Sequence, residues 1–225
     1  MRIILLGCEY SGTTTLGFRI REWVHHVVGG HVNLVHDHFK IPYTFGHDSE
    51  YSTTPMQATE EELEAYRALS HRQMEALQRH NIAYHVAAVT KFDDKVIIGL
   101  HVEDTIYGEL YFDYPRKRRA YGQAMERTLL ETAPDVILCH VKASAEVIRQ
   151  RMMTHTHPYG VLEEADVEKV LGRFEEDFSC STLLRKLTLD TSTSTIDETM
   201  AEFVEEVEPY LTDTDRIRRA GHESQ

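Results

Sequence analysis

Gly7, Gly12 and Thr14 stand five and two residues apart near the start of the chain. That spacing can do phosphate chemistry. The apolar run Ile3–Leu6 before them reads as a buried strand, and an amphipathic segment follows from Leu16. Strand, glycine-bounded loop and helix N-terminus in this order aim several backbone N–H groups and a positive helix end at one point. The consensus for such a loop is G-x-x-x-x-G-K-[ST]. The stretch Gly7-Cys8-Glu9-Tyr10-Ser11-Gly12-Thr13-Thr14-Thr15 meets it except at the lysine position, which holds Thr13. Residues 7 to 15 are therefore the candidate phosphate-binding, and by extension nucleotide-binding, residues.

Further polar clusters carry groups able to move or neutralise protons and phosphates. His36-Asp37-His38 follows a second apolar run, His31 to Val35. Glu103-Asp104-Thr105-Ile106-Tyr107 follows a third, Val96 to Leu100, which is apolar on both faces and so reads as a central strand. Tyr114-Pro115-Arg116-Lys117-Arg118-Arg119 is the strongest basic run. It opens a helix where cations oppose the dipole, which makes Arg116 and Arg118 candidate contacts for an anion. A fourth strand is read at Pro134 to Val141, then a helix, Ser144 to Met153, carrying Arg149 and Arg151. The loop Thr154 to Gly160 holds His155 and His157, and a fifth strand is read at Leu187 to Asp190.

Between these lie helices: Leu16 to Val28, a long one from Thr59 (N-cap, with Glu62 completing a capping box) to about residue 88, one from 114 to 131, Glu163 to Phe178, and an acidic one from Thr195 to Leu211. Strands alternating with helices predict a parallel sheet with helices on both faces and a ligand site at its C-terminal strand edge. Each polar cluster follows a strand, so the clusters should converge there. No repeat or linker divides the chain. One domain is expected over 1–211, with a polar tail over 212–225.

Composition bounds the function. The 225 residues are 41% hydrophobic and 27% charged, as in a globular protein with a full core. No apolar run is long enough to span a bilayer, and the N-terminal apolar stretch is too short for a signal peptide. Cys8, Cys139 and Cys180 lack C-x-x-C spacing, which favours reduced thiols and a cytoplasmic setting. The net charge of −13 disfavours nucleic acid as a partner, though not a small anion in a local positive pocket. The 14 histidines show no H-E-x-x-H spacing.

The layout resembles the nucleoside and thymidylate kinase group of phosphate-loop proteins, over nearly the whole chain at the level of motif order. Glu103-Asp104-Thr105-Ile106-Tyr107 is similar to the group's Glu/Asp-Arg-Ser segment. Ala143-Ser144-Ala145-Glu146-Val147-Ile148 with Arg151 is similar to its Pro-Glu helix before the lid, and Leu189-Asp190-Thr191 to its adenine-side segment. Asp37 sits where the group places an acid near the acceptor hydroxyl.

The resemblance implies a three-layer P-loop NTPase fold, with a five-stranded parallel sheet in the order 2-3-1-4-5, and a lid around 152–162. It also implies ATP or GTP as phosphoryl donor, a small-molecule acceptor, Mg²⁺ held by Thr14 and Glu103, and dimerisation through the helices of 59–88 and 114–131. Asp37, Glu103 and Arg151 are then the catalytic candidates, with His38 or His36 competing with Asp37 as base. His36, His38, Asp104, Tyr107, Arg116 and Arg118 are the substrate-side candidates.

Three cations of the group's pattern are replaced: Thr13 stands for the loop lysine, Asp104 for the arginine of the Glu-Arg-Ser segment, and His155 or His157 for the lid arginine. Phosphoryl transfer depends on positioning and cationic stabilisation. The alternative reading is therefore a non-catalytic nucleotide- or phosphate-binding protein, or a structural partner, with a kinase-like fold.

Overall fold

The computed structural model describes residues 1–37, 59–91, 94–114, 118–155 and 160–222. Strands β1 (Arg2–Leu6), β2 (Asn33–Asp37), β3 (Lys95–Gly99), β4 (Ile137–Lys142) and β5 (Arg185–Asp190) form a parallel sheet in the order β2-β3-β1-β4-β5. The central strand shows why the sheet is covered twice. Ile4 and Leu6 enter one apolar cluster and Ile3 and Leu5 another, all at most 1% exposed, because successive side chains of a strand point to opposite faces.

The Ile4 face is packed by α3 (His71–Lys91), α4 (His101–Tyr111), α5 (Arg118–Thr132), α6 (Ala145–Thr154) and α7 (Val167–Cys180), with Phe174 and Tyr107 fully buried there. The Ile3 face is packed by α1 (Thr13–Trp23) and α8 (Ile196–Val207), through Leu16, Ile20 and Phe203. Among the described residues no helix is long and apolar enough to cross a membrane.

The long helix expected from residue 59 is interrupted. It forms α2 (Glu60–Arg67) and then α3, because Ser70 starts a new helix with a reciprocal cap. Ser70 N–H donates to Gln73 Oε1 at 3.1 Å and Gln73 N–H to Ser70 Oγ at 3.3 Å. The first helix ends at Trp23 and is prolonged by a π-helical turn, Val24–Val28, stopped at Gly29 with φ 72°.

The expected polar tail is replaced by a helix, α9 (Asp213–His222). Thr212 and Asp215 cap it reciprocally, at 3.0 Å and 3.2 Å. Arg218 pins it to Asp94 at 2.7 Å, and it packs on the π-helical turn, with His222 against Gly29.

Thr195 and Glu198 close the capping box of α8, with bonds of 2.8 Å and 3.3 Å. Replacing Thr195 by Ala should lower stability by about 1 kcal/mol, read as a shifted urea midpoint with unchanged slope. No shift would mean that the cap adds nothing to the packing of Phe203.

Candidate functional site

The C-terminal ends of β1, β3 and β5 open onto one cleft of about 350 Å³. Its floor is the candidate phosphate loop: Gly7, Glu9, Tyr10, Ser11, Gly12, Thr13, Thr14 and Thr15 all line it. The walls add Ile98 and Glu103 from the β3–α4 side, Arg151 and His155 from α6 and its end, and Thr191, Ser194, Ile196 and Thr199 from the β5–α8 side.

The loop has the geometry of an anion cradle. The first helical bond of α1 runs from Leu16 N–H to the Gly12 carbonyl at 3.0 Å. The N–H groups of Thr13, Thr14 and Thr15 therefore have no intrahelical acceptor. No side chain caps this end and no acid stands in the first turn. Ser11 is fully buried, and its Oγ has no hydrogen-bond partner. Gly12 takes φ 98° to turn the chain into α1. At Gly7 a side chain has no room: a Cβ would stand 2.4 Å from Ser11 Oγ and 2.5 Å from the Val141 carbonyl oxygen.

Arg151 reaches in from α6. Its Nη1 donates to the Tyr10 carbonyl at 2.9 Å and to Thr191 Oγ1 at 3.1 Å, and its Nη2 to the Thr191 carbonyl at 2.7 Å. Thr191 Oγ1 in turn donates to the Ser11 carbonyl at 2.8 Å. Arg151 thus ties the candidate phosphate loop to the β5–α8 loop while leaving a cation in the cleft wall. Burial lowers its pKa, from a value so high that it stays charged.

Several residues singled out in the sequence lie elsewhere. Cys8, though part of the loop, is buried and outside the cleft lining, with its thiol beside the Tyr107 hydroxyl. Tyr107 itself is fully buried behind the cleft wall. Its hydroxyl receives the Glu9 N–H at 3.0 Å. Burial first, then the neighbouring Cys8 and Glu103, push its phenol well above the usual range, so it stays protonated. Asp104 is also fully buried and is not part of the lining. Arg79 of α3 stands 3.3 Å from it, with its guanidinium over the Tyr121 ring at 3.8 Å and its Nε on Glu75 at 3.1 Å. The acid at the expected arginine position is thus met by a cation from another helix. Arg149 pairs with Glu168 at 2.5 Å and is outside the cleft lining.

His36 and Asp37 end β2, where Asp37 lies in register with Gly99 at the same sheet edge as the loop. Arg118 begins α5. His38, Arg116 and His157 lie outside the described residues. Among the described residues no group of three or more His, Cys, Asp or Glu could hold a metal by itself. Glu103 and Thr14 share the cleft as hard oxygen donors. That set suits Mg²⁺, which is bound by one or two carboxylates together with substrate phosphates.

Ser194 and Thr199 are lining residues that no site assignment from sequence contained; Thr191, which the resemblance matched to the adenine-side segment, lines the cleft with them. The signal for Ser194 is the serine/threonine run Thr191 to Thr195 directly before the capped start of α8.

The chain shares its fold with solved structures that include nucleoside and nucleotide kinases. One is the deoxyadenosine kinase of M. mycoides solved with bound dATP, at TM-score 0.60 and 11% identity over 92% of this chain and 99% of that one. Another is the thymidylate kinase of Candida albicans, at 0.57 and 15% over 92% and 91%. A third is the YorR protein of Bacillus subtilis, solved in complex with phosphorylated GDP, at 0.57 and 15% over 93% and 99%. No family model matches the chain, and no curated protein matches it in sequence.

Proposed function

We propose that this protein is a Mg²⁺-dependent phosphotransferase of the nucleoside or nucleotide kinase type, acting on a small hydroxylated or phosphorylated acceptor. The observation that carries the proposal is the open N-terminus of α1 with the unpartnered Ser11 Oγ beside it, in one cleft with Glu103 and Arg151. In this reading the N–H groups of Thr13, Thr14 and Thr15 bind the donor phosphates of ATP or GTP. The Thr14 hydroxyl and the Glu103 carboxylate would hold Mg²⁺. The metal, when bound, would neutralise phosphate charge next to the cleft acid Glu103.

Arg151 supplies the cation that Thr13 does not, and orients the loop by its bond to the Tyr10 carbonyl. Asp37 accepts the acceptor's proton, with His36 and His38 as the competing bases. Ser194 of the β5–α8 connection and Thr199 of α8, which line the same cleft, would then lie on the donor side.

Calorimetric titration with ATP, GTP and ADP, with and without Mg²⁺, tests the donor half. Binding is expected to depend on Mg²⁺ and to weaken roughly tenfold or more in Thr14→Ala and Glu103→Gln. Turnover with a panel of acceptors tests the other half. Asp37→Ala should lower kcat about 10²- to 10⁴-fold while Kd for the donor holds. Unchanged turnover would remove Asp37 as the base.

A second reading, nucleotide binding without catalysis, draws on one feature: Asp104 and Thr13 remove two cations, and Arg151 spends its donors on backbone and Thr191 oxygens. Tight Mg²⁺-dependent binding with no turnover on any acceptor would favour it.

A further inference from the structure

Two stretches of chain flank the phosphate loop, and each is fastened to one residue of it. On one side, Arg151 of α6 donates to the Tyr10 carbonyl at 2.9 Å. On the other, the stretch entering α7 donates to the Glu9 carboxylate. Val161 N–H lies 3.2 Å from both Oε1 and Oε2, and Leu162 N–H lies 3.0 Å from Oε2. Glu9's own N–H is held by the Tyr107 hydroxyl of α4 at 3.0 Å.

Glu9 and Leu162 are both 8% exposed, so these bonds are shielded from water. Tyr10 takes φ 67°, a left-handed conformation that a non-glycine residue adopts only where its surroundings hold it. The same stretch is pinned one turn further on. Tyr111 donates its hydroxyl proton to Asp166 at 3.2 Å, and burial raises its pKa to about 12.

A carboxylate in a loop shaped for phosphate repels its ligand unless it is aimed elsewhere and its charge is met. The two N–H groups of Val161 and Leu162 do both. We propose that Glu9 is a positioning residue: its carboxylate fixes the Val161–Leu162 stretch onto the phosphate loop, so that an anion held at the α1 N-terminus is felt in that stretch. The second half of this rests on the function proposed above; the first half does not.

Amide hydrogen exchange on the full chain, read residue by residue, tests it. Without ligand, the Val161 and Leu162 amides should exchange about tenfold faster or more in Glu9→Ala than in the wild type, since each loses a charged acceptor. Glu9→Gln, which keeps the shape and loses the charge, should give a smaller increase. It also serves if Glu9→Ala does not fold. Amides of β4 should be unchanged in both variants and report that the fold is intact.

Inorganic tripolyphosphate with Mg²⁺ should then slow the two amides further in the wild type, and leave them unresponsive in a Glu9→Ala protein that still binds it. Equal exchange at Val161 and Leu162 in wild type and Glu9→Ala overturns the proposal. Equal slowing by tripolyphosphate in both overturns the transmission. If tripolyphosphate binds neither protein, the phosphate reading of the loop fails, while the ligand-free exchange still decides whether Glu9 holds the stretch.

Discussion

Gly7→Ala should abolish phosphate binding at the loop while the chain still folds. The added Cβ would stand 2.4 Å from Ser11 Oγ, 2.5 Å from the Val141 carbonyl oxygen and 3.0 Å from Thr13 Cγ2. A serine hydroxyl can rotate away. The Val141 carbonyl cannot, because it belongs to β4, which is paired on both sides. The loop must therefore lift, and the N–H groups at the start of α1 move with it. A misplacement of about 1 Å at a positioned site costs on the order of 10²-fold, so a loss of binding of at least that size is expected.

Two other glycines separate this effect from general damage. Gly12→Ala has open space but would hold φ 98°, a strain of about 1–2 kcal/mol and a smaller loss of binding. Gly172→Ala, in α7 with nothing within 4 Å, should bind normally and gain up to about 1 kcal/mol of stability. Titration of the three variants with Mg²⁺ and ATP gives the ranking. A Gly7→Ala protein that binds within threefold of the wild type would show that the ligand does not sit on this loop.

What could be seen in the sequence follows how local its cause is. The glycine-bounded loop was legible because Gly7, Gly12 and Thr14 act through spacing along one short stretch. The alternation of Ile3 and Leu5 against Ile4 and Leu6 made β1 legible in the same way. The break before α3 was hidden because the apolar spacing runs on through Leu69 and Met74, while the Ser70–Gln73 cap that stops it is a small polar signal.

Helix α9 was hidden for a different reason. Its composition is polar, and what holds it is Arg218 on Asp94 and the Thr212–Asp215 cap. The site divides along the same line. Residues that face the cleft from the loop itself could be named. The partners that decide what neighbouring groups can do come from far along the chain: Arg79 for Asp104, Val161 and Leu162 for Glu9, Thr191 for Arg151. No periodicity or spacing announces such pairs.

The largest effect expected on stability is a loss between about pH 6.5 and pH 4, traceable to His140. This residue is on β4, 3% exposed, stacked on Phe174 at a centroid distance of 6.3 Å and tilted against Phe178 at 5.1 Å. Its Nδ1 has no hydrogen-bond partner, and the nearest carboxylate oxygen, from Glu175, stands 3.9 Å away. Burial is the main cause of its lowered pKa, with Lys142 adding to it and Glu175 opposing it. The value falls from 6.5 to about 4.

The sign follows from proton binding. Below about pH 6.5 the unfolded chain protonates this imidazole and the folded chain does not, so acid favours unfolding until the folded form also takes up the proton near pH 4. At 1.36 kcal/mol per pH unit, the ceiling is about 3 kcal/mol. His140→Leu keeps an apolar body against Phe174 and cannot protonate, so its stability should be flatter over that window. Urea unfolding of both proteins at a series of pH values measures the difference. A gap between them that changes by less than about 0.5 kcal/mol from pH 7 to pH 4 would mean that His140 is hydrated in the folded protein and that its titration does not limit stability.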